Sequence, residues 1–138
     1  MSAPVFELDA RLRNDTRQVV SLPLCDVLLM NDTRFPWLVL VPRLPDKVEI
    51  CDLAPADQSV LWREVTLASQ VLRTLYPFDK LNLGALGNIV RQLHVHVVGR
   101  REGDAAWPGP VWGSGAAVPY EGEALLSTVE ALRKALMA

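Results

Sequence analysis

Histidine is nearly missing from this chain, with two among 138 residues. Cysteine is as scarce, and neither Cys25 nor Cys51 belongs to a C-x-x-C pair. Two buried, reduced thiols are the ordinary reading, ahead of a disulfide or a metal role. Long hydrophobic runs are absent too. Nothing approaches the ~20 apolar residues that a membrane-spanning helix needs. The first stretch, MSAPVFELDARLRND, carries charge where a signal peptide needs its apolar segment, so a cytoplasmic protein is expected. An excess of either charge is lacking as well. Fourteen basic residues stand against sixteen acidic ones, a net charge of −2. That balance argues against a strong general attraction to nucleic acid or to an anionic membrane. It leaves room for one small anionic ligand in a locally positive site. There is no low-complexity tail, and a disordered chain is excluded by composition.

What is present is a hydrophobic half of the residues, enough for a core at this length. One domain over residues 1–138 is the expectation. LDARLRND (8–15) reads as a short helix or an irregular lead-in. LPLCDVLLM (22–30) and WLVLVPR (37–43) read as buried strands, separated by the turn-forming NDTRFP (31–36). Residues 55–77 give the clearest helix. Leu61, Val65, Ala68, Leu72 and Leu75 build one apolar stripe, with Pro55 at the start and Pro77 at the stop. KLNLGAL (80–86) and RQLHVHVVGR (91–100) read as strands joined by a turn near Gly87-Asn88. Residues 101–119 are rich in Gly and Pro and should be an irregular loop. A last amphipathic helix follows, with its stripe at Leu125, Val129, Leu132 and Leu136. The order β-β-α-β-β-α with hairpins predicts an α+β fold, an antiparallel sheet with helices packed on it.

Both histidines lie in RQLHVHVVGR, two residues apart. Side chains alternate along a strand, so Gln92, His94 and His96 share one face while Leu93, Val95 and Val97 face the core. Three explanations compete. The sheet can simply have a solvent face that carries these residues. Alternating histidines can share a metal ion, although no third histidine exists and no acidic residue lies on this ladder. Or the pair performs acid–base or nucleophilic chemistry, since imidazole titrates near neutral pH.

QLHVHVV (92–98) resembles the signature of the histidine triad (HIT) superfamily, His-φ-His-φ-His-φ-φ, where φ is apolar. The context is similar too. An apolar strand, an Asn/Asp turn and a second strand ending in Pro stand in VLLMNDTRFPWLVLVP (27–42), followed by a long helix and a hairpin with the motif on its second strand. The resemblance covers roughly residues 22–100, leaving the loop and helix of 101–138 outside it. It implies a HIT-like sheet of about five strands with a long central helix and a C-terminal helix, and a homodimer. It also implies cleavage at the α-phosphate of nucleoside phosphoramidates or dinucleoside polyphosphates. His94 would be the nucleophile that forms a nucleotidyl-histidine. His96 would contact the phosphate and assist the leaving group. No metal is demanded, though a polyphosphate can arrive with Mg²⁺.

Two positions depart from the family pattern. The first motif histidine is Gln92, and the histidine common at the start of the second apolar strand is Trp37. A nucleotide-binding protein with little turnover is therefore the alternative. By the same resemblance Asn31 would hold the ribose hydroxyls, with Asp32 in reserve. Asn82 and Asn88 would contact phosphates. A turn role explains Asn31 and Asn88 equally simply. LGALGN (83–88) is not a dinucleotide fingerprint, because a strand and not a helix follows it. Arg100 and Arg101 read as a solvated strand end, with anion attraction or a dimer contact as the alternative. Trp107 and Trp112 would cover a base, pack across a dimer or bury the loop.

Overall fold

In the computed structural model, residues 4–138 are described. Five strands and three α-helices carry the sheet and its cover. The strands are β1 (Thr16–Ser21), β2 (Cys25–Met30), β3 (Trp37–Pro42), β4 (Lys80–Gly84) and β5 (Val95–Arg100). They form one antiparallel sheet in the order β1-β2-β3-β5-β4. The helices are α1 (Ala10–Asp15), α2 (Pro55–Leu75) and α3 (Gly122–Met137). The α+β architecture is the one expected from the sequence.

Alternation along the strands divides the interior in two. Val27, Leu29, Leu38, Leu40, Val95 and Val97 pack against α2 and α3 in the larger core. Leu28, Trp37, Val39, Val41 and Val98 face the other way, into a second core with Phe35 and Val111. α2 and α3 cover one face of the sheet. The irregular loop after β5 and the N-terminal segment lie on the other.

The helices form where the apolar stripes lie. Leu61, Val65, Ala68 and Leu72 of α2 are buried, and Pro55 occupies its first turn. Leu75 ends the stripe differently: it is the last residue of α2 and is exposed. Glu64 sits among these apolar residues and is buried. Its carboxylate accepts hydrogen bonds from the Leu24 and Cys25 amides at 3.0 and 2.8 Å, which ties α2 to the start of β2. Burial, with Glu64 beside it, pushes the Cys25 thiol well up. Cys51 is exposed, so only one of the two free thiols is a core residue.

Two elements differ from the sequence reading. Thr16–Ser21 is a strand, the half-exposed edge partner of β2 with an irregularity between Gln18 and Val20. The connection from β4 to β5 is a ten-residue excursion over residues 85–94, and not a tight turn. β5 begins at Val95 because the residues before it bond elsewhere. The Leu93 amide donates to the Lys47 carbonyl, and the Gln92 side chain bonds the N-terminal segment.

Candidate active site

His96 on β5 and His94 just before it lie on the face of the sheet that α2 and α3 leave open. A cavity of about 770 Å³ lies there. Its walls come from α1, the turn after β2, the 85–94 excursion and the loop after β5. Both imidazoles are mostly buried yet line this cavity, with ring centroids 4.9 Å apart. A smaller pocket of about 420 Å³ near the β1–β2 end, beside Phe6 and Arg13, holds neither histidine.

Each imidazole is fixed through its Nδ1. His94 Nδ1 lies 2.6 Å from the backbone carbonyl of Gln92. A carbonyl only accepts, so His94 carries its proton on Nδ1 and its Nε2 lone pair is free. His96 Nδ1 lies 3.0 Å from the indole nitrogen of Trp37. An indole N–H only donates, so here Nδ1 accepts and the ring proton is on Nε2. The two rings are thus opposite tautomers. Burial, and secondly the neighbouring His94, hold His96 down to about 4.

Aromatic rings enclose His96. Trp37 is 5.7 Å from it and Trp112 is 5.5 Å from it, centroid to centroid. Trp112 reaches this position across Gly84, which pairs with His96 in the sheet. A Cβ on Gly84 would stand 3.0 Å from the Trp112 ring, so only glycine admits that approach without displacement.

The Gln92 side chain does not enter the cavity. Its oxygen accepts from the Asp9 amide at 2.9 Å and its nitrogen donates to the Glu7 carbonyl at 2.8 Å. It fastens the N-terminal segment that leads into α1, whose Arg11, Asn14 and Asp15 line the cavity. Asn31 lines the cavity as well. Its Oδ1 accepts from the Tyr120 amide at 2.9 Å, which leaves the amide nitrogen as a donor. Asp32 is buried and fully engaged by Arg34 and the Val118 amide. Burial raises its carboxyl, but the Arg34 guanidinium and the Arg34 and Val118 amides outweigh this and lower it. Asn88 lines the cavity, next to Gly87 at φ +66°.

Asn82 is not part of this arrangement. It lies on β4 opposite Val98, and its Oδ1 accepts from Arg100 at 3.0 Å. Arg100 itself is buried, not solvated, because Asp104 pairs with it through two hydrogen bonds of 2.8 and 2.9 Å. Trp107 packs on Arg100, 5.7 Å away, and is partly exposed, whereas Trp112 belongs to the cavity wall. The loop that carries both is anchored to the turn after β2 by Thr33 N to Val118 O and Arg34 Nη1 to Ser114 O. The residues that sequence reasoning missed are Arg11, Asn14 and Asp15, which carry no motif and reach the cavity only because Gln92 folds their segment back. Among the described residues, no three His, Cys, Asp or Glu side chains gather so as to hold a metal ion. No helix among the described residues is long and apolar enough to cross a membrane.

The chain is similar to known proteins. The HIT domain family matches residues 11–103. A histidine triad protein from Bradyrhizobium japonicum is 45% identical, with a TM-score of 0.93 over 96% of this chain and 99% of that one. One from Marinobacter aquaeolei is 44% identical, with a TM-score of 0.94 over 97% and 98%. A hypothetical histidine triad nucleotide-binding protein from Sulfolobus tokodaii, 18% identical with a TM-score of 0.63 over 88% and 84%, shares the fold. No curated protein gives a significant match. The HIT match spans well over half of the chain and includes both histidines, so the chain belongs to the HIT domain family.

Proposed function

We propose that the protein is a HIT-type nucleotide hydrolase or transferase acting at the α-phosphate of nucleoside phosphates. The observation that carries this reading is the free Nε2 of His94. The Gln92 carbonyl fixes the ring, and the lone pair is directed to a cavity large enough for a nucleotide. The His94 Nε2 lone pair attacks phosphorus, a P–N bond forms, and the bond to the leaving group breaks with its electron pair. Water then attacks the same phosphorus. The P–N pair returns to His94, a proton goes to solvent, and a nucleoside monophosphate is released. Another nucleophile in place of water gives transfer.

His96, 4.9 Å away, holds an N–H for a phosphoryl oxygen as charge develops there. The Asn31 amide nitrogen suits a ribose hydroxyl, and Asn88 with the Gly87 turn suits the phosphates. Arg11 supplies a cationic wall. Neutral imidazole attacks without a metal, and any Mg²⁺ would come as part of a polyphosphate substrate. A homodimer fits the sheet edge. Among the described residues β4 has no partner on its outer side, and Leu83, Leu86 and Ile89 are exposed along it and its following loop.

The second reading, nucleotide binding without turnover, rests on Gln92 and Trp37. It is separated from the first by assaying release of nucleoside monophosphate from an adenylate ester, adenosine 5′-phosphoramidate and diadenosine polyphosphates, with binding followed by calorimetry. Turnover that His94→Asn abolishes supports the enzyme. Binding with no turnover of any of them supports the alternative.

A further inference from the structure

We infer that Trp37 is a positioning residue that locks His96 as a neutral hydrogen-bond donor, and that the site therefore favours substrates whose leaving group departs as a stable anion over those whose leaving group must be protonated. The inference rests on the proposed reaction at His94 and narrows its substrate class.

The geometry gives the reason. A general acid must hold a proton that it can release. An imidazolium can do so, but it needs protons on both ring nitrogens. Nδ1 of His96 already accepts the indole N–H of Trp37 at 3.0 Å, in a buried contact. A second proton on Nδ1 would face that N–H, two donors with no acceptor between them. The cost is a broken buried hydrogen bond and a charge placed among Trp37, Trp112 and His94. The charged or titratable groups that share the cavity are His94 just before β5, Arg11 and Asp15 on α1, and Asp32 with Arg34 after β2. Asp32 and Arg34 pair with each other. β3 presents Trp37 and β4 presents Gly84, neither of which titrates. No carboxylate is bonded to His96 among the described residues, so nothing repays that charge.

A neutral His96 still donates its Nε2–H to an oxygen. It stabilises charge on a phosphoryl oxygen or a departing oxyanion, and it transfers no proton. Phosphoanhydrides and aryl esters, whose leaving groups carry the electron pair away as a stable anion, suit such a site. An amine leaving from a phosphoramidate needs a proton that His96 does not have.

Two measurements test this. The first is the ¹⁵N spectrum of the imidazoles in the wild-type protein, which needs no substrate. His96 should show a protonated Nε2 and an unprotonated, hydrogen-bonded Nδ1 from about pH 5 to 9. In Trp37→Phe, which keeps a ring and removes the N–H, the Nδ1 signal should lose its hydrogen-bonded position. A doubly protonated His96 at pH 6 in the wild type overturns the inference. The second compares kcat/KM for the para-nitrophenyl ester of adenosine monophosphate, for diadenosine tetraphosphate and for adenosine 5′-phosphoramidate. The ester should exceed the phosphoramidate by about 100-fold or more, the usual worth of a general acid, and Trp37→Phe should narrow that gap about tenfold. Equal rates for ester and phosphoramidate in the wild type overturn the leaving-group preference while the reaction at His94 stands. If none of the three substrates is cleaved, the preference falls together with the proposed reaction, and the ¹⁵N spectrum still decides the role of Trp37.

Discussion

The two ends of one face of β5 bury polar groups in opposite ways. At its C-terminal end Arg100 is closed off on every side. Asp104 takes two of its hydrogen bonds and Asn82 a third, with Phe35 and Trp107 against the guanidinium. At the N-terminal end His94 and His96 each have one nitrogen bonded by the protein and one facing the cavity. Phe35 touches both regions, 6.2 Å from Trp37 and 5.4 Å from Arg100. A charge whose donors are all satisfied inside the protein holds the fold together. A polar ring with one atom fixed and one unused is set up for a ligand. The contrast separates the structural cation from the reactive imidazoles, although His96 and Arg100 lie on one strand and His94 stands just before it.

The largest expected effect falls at the open end. His94→Asn should lower turnover by about a thousandfold or more, since an amide cannot act as the nucleophile, while the thermal midpoint stays near that of the wild type. Steady-state assay beside a melting curve checks both halves. The closed end should respond in the reverse sense. Asp104→Ala leaves Arg100 buried without its counter-charge and should cost about 3–5 kcal/mol of stability. In a chain of this size that lowers the midpoint by about 10 °C or more, and calorimetry reads it directly.

Acid should sharpen the same distinction. His96 is held down to about 4, whereas an unfolded histidine titrates near 6.5. Below pH 6.5 the unfolded chain takes up a proton that the folded site refuses. The stability contribution is whole above about pH 6.5 and falls by about 3 kcal/mol as the pH drops towards 4. Asp104, held down to about 2 by Arg100, keeps its pair intact through that window. Urea unfolding at pH 7 and at pH 4.5 should show the loss in the wild type and a smaller loss in His96→Gln. The smallest effect belongs to Gln92. Its replacement by Ala keeps the carbonyl that orients His94 and frees the segment bearing Arg11. It should cost about 1–2 kcal/mol and raise KM while kcat stays within a few-fold.

Much of this was legible in the sequence because it depends on local pattern. The stripe from Leu61 to Leu72, the alternation around His94 and His96 and the Pro-bounded strand WLVLVP each follow from a short periodicity. What was not legible depends on distant partners. Thr16–Ser21 lacks the alternation of a half-buried strand because it lies at the sheet edge with only Thr16 and Val19 fully buried. Glu64 interrupts an apolar stripe, a visible anomaly whose partners, the Leu24 and Cys25 amides, lie 40 and 39 residues away. Arg100 reads as a strand end until Asp104 and Asn82 are seen to close on it. Gln92 reads as a histidine replaced by a residue that supports the site's geometry, yet its side chain bonds residues 85 and 83 positions earlier. Trp37 reads as a lost histidine, and only the folded chain shows its N–H meeting His96 across 59 positions.

The measurement that bears most directly on the account is a trap of the covalent intermediate. The protein is mixed with radiolabelled adenylate ester and, separately, with labelled diadenosine tetraphosphate, quenched rapidly in base, digested and mapped. The account predicts acid-labile adenylate on the peptide that contains His94, and none in His94→Asn. Product formed without any labelled histidine, or label that survives in His94→Asn, would contradict it.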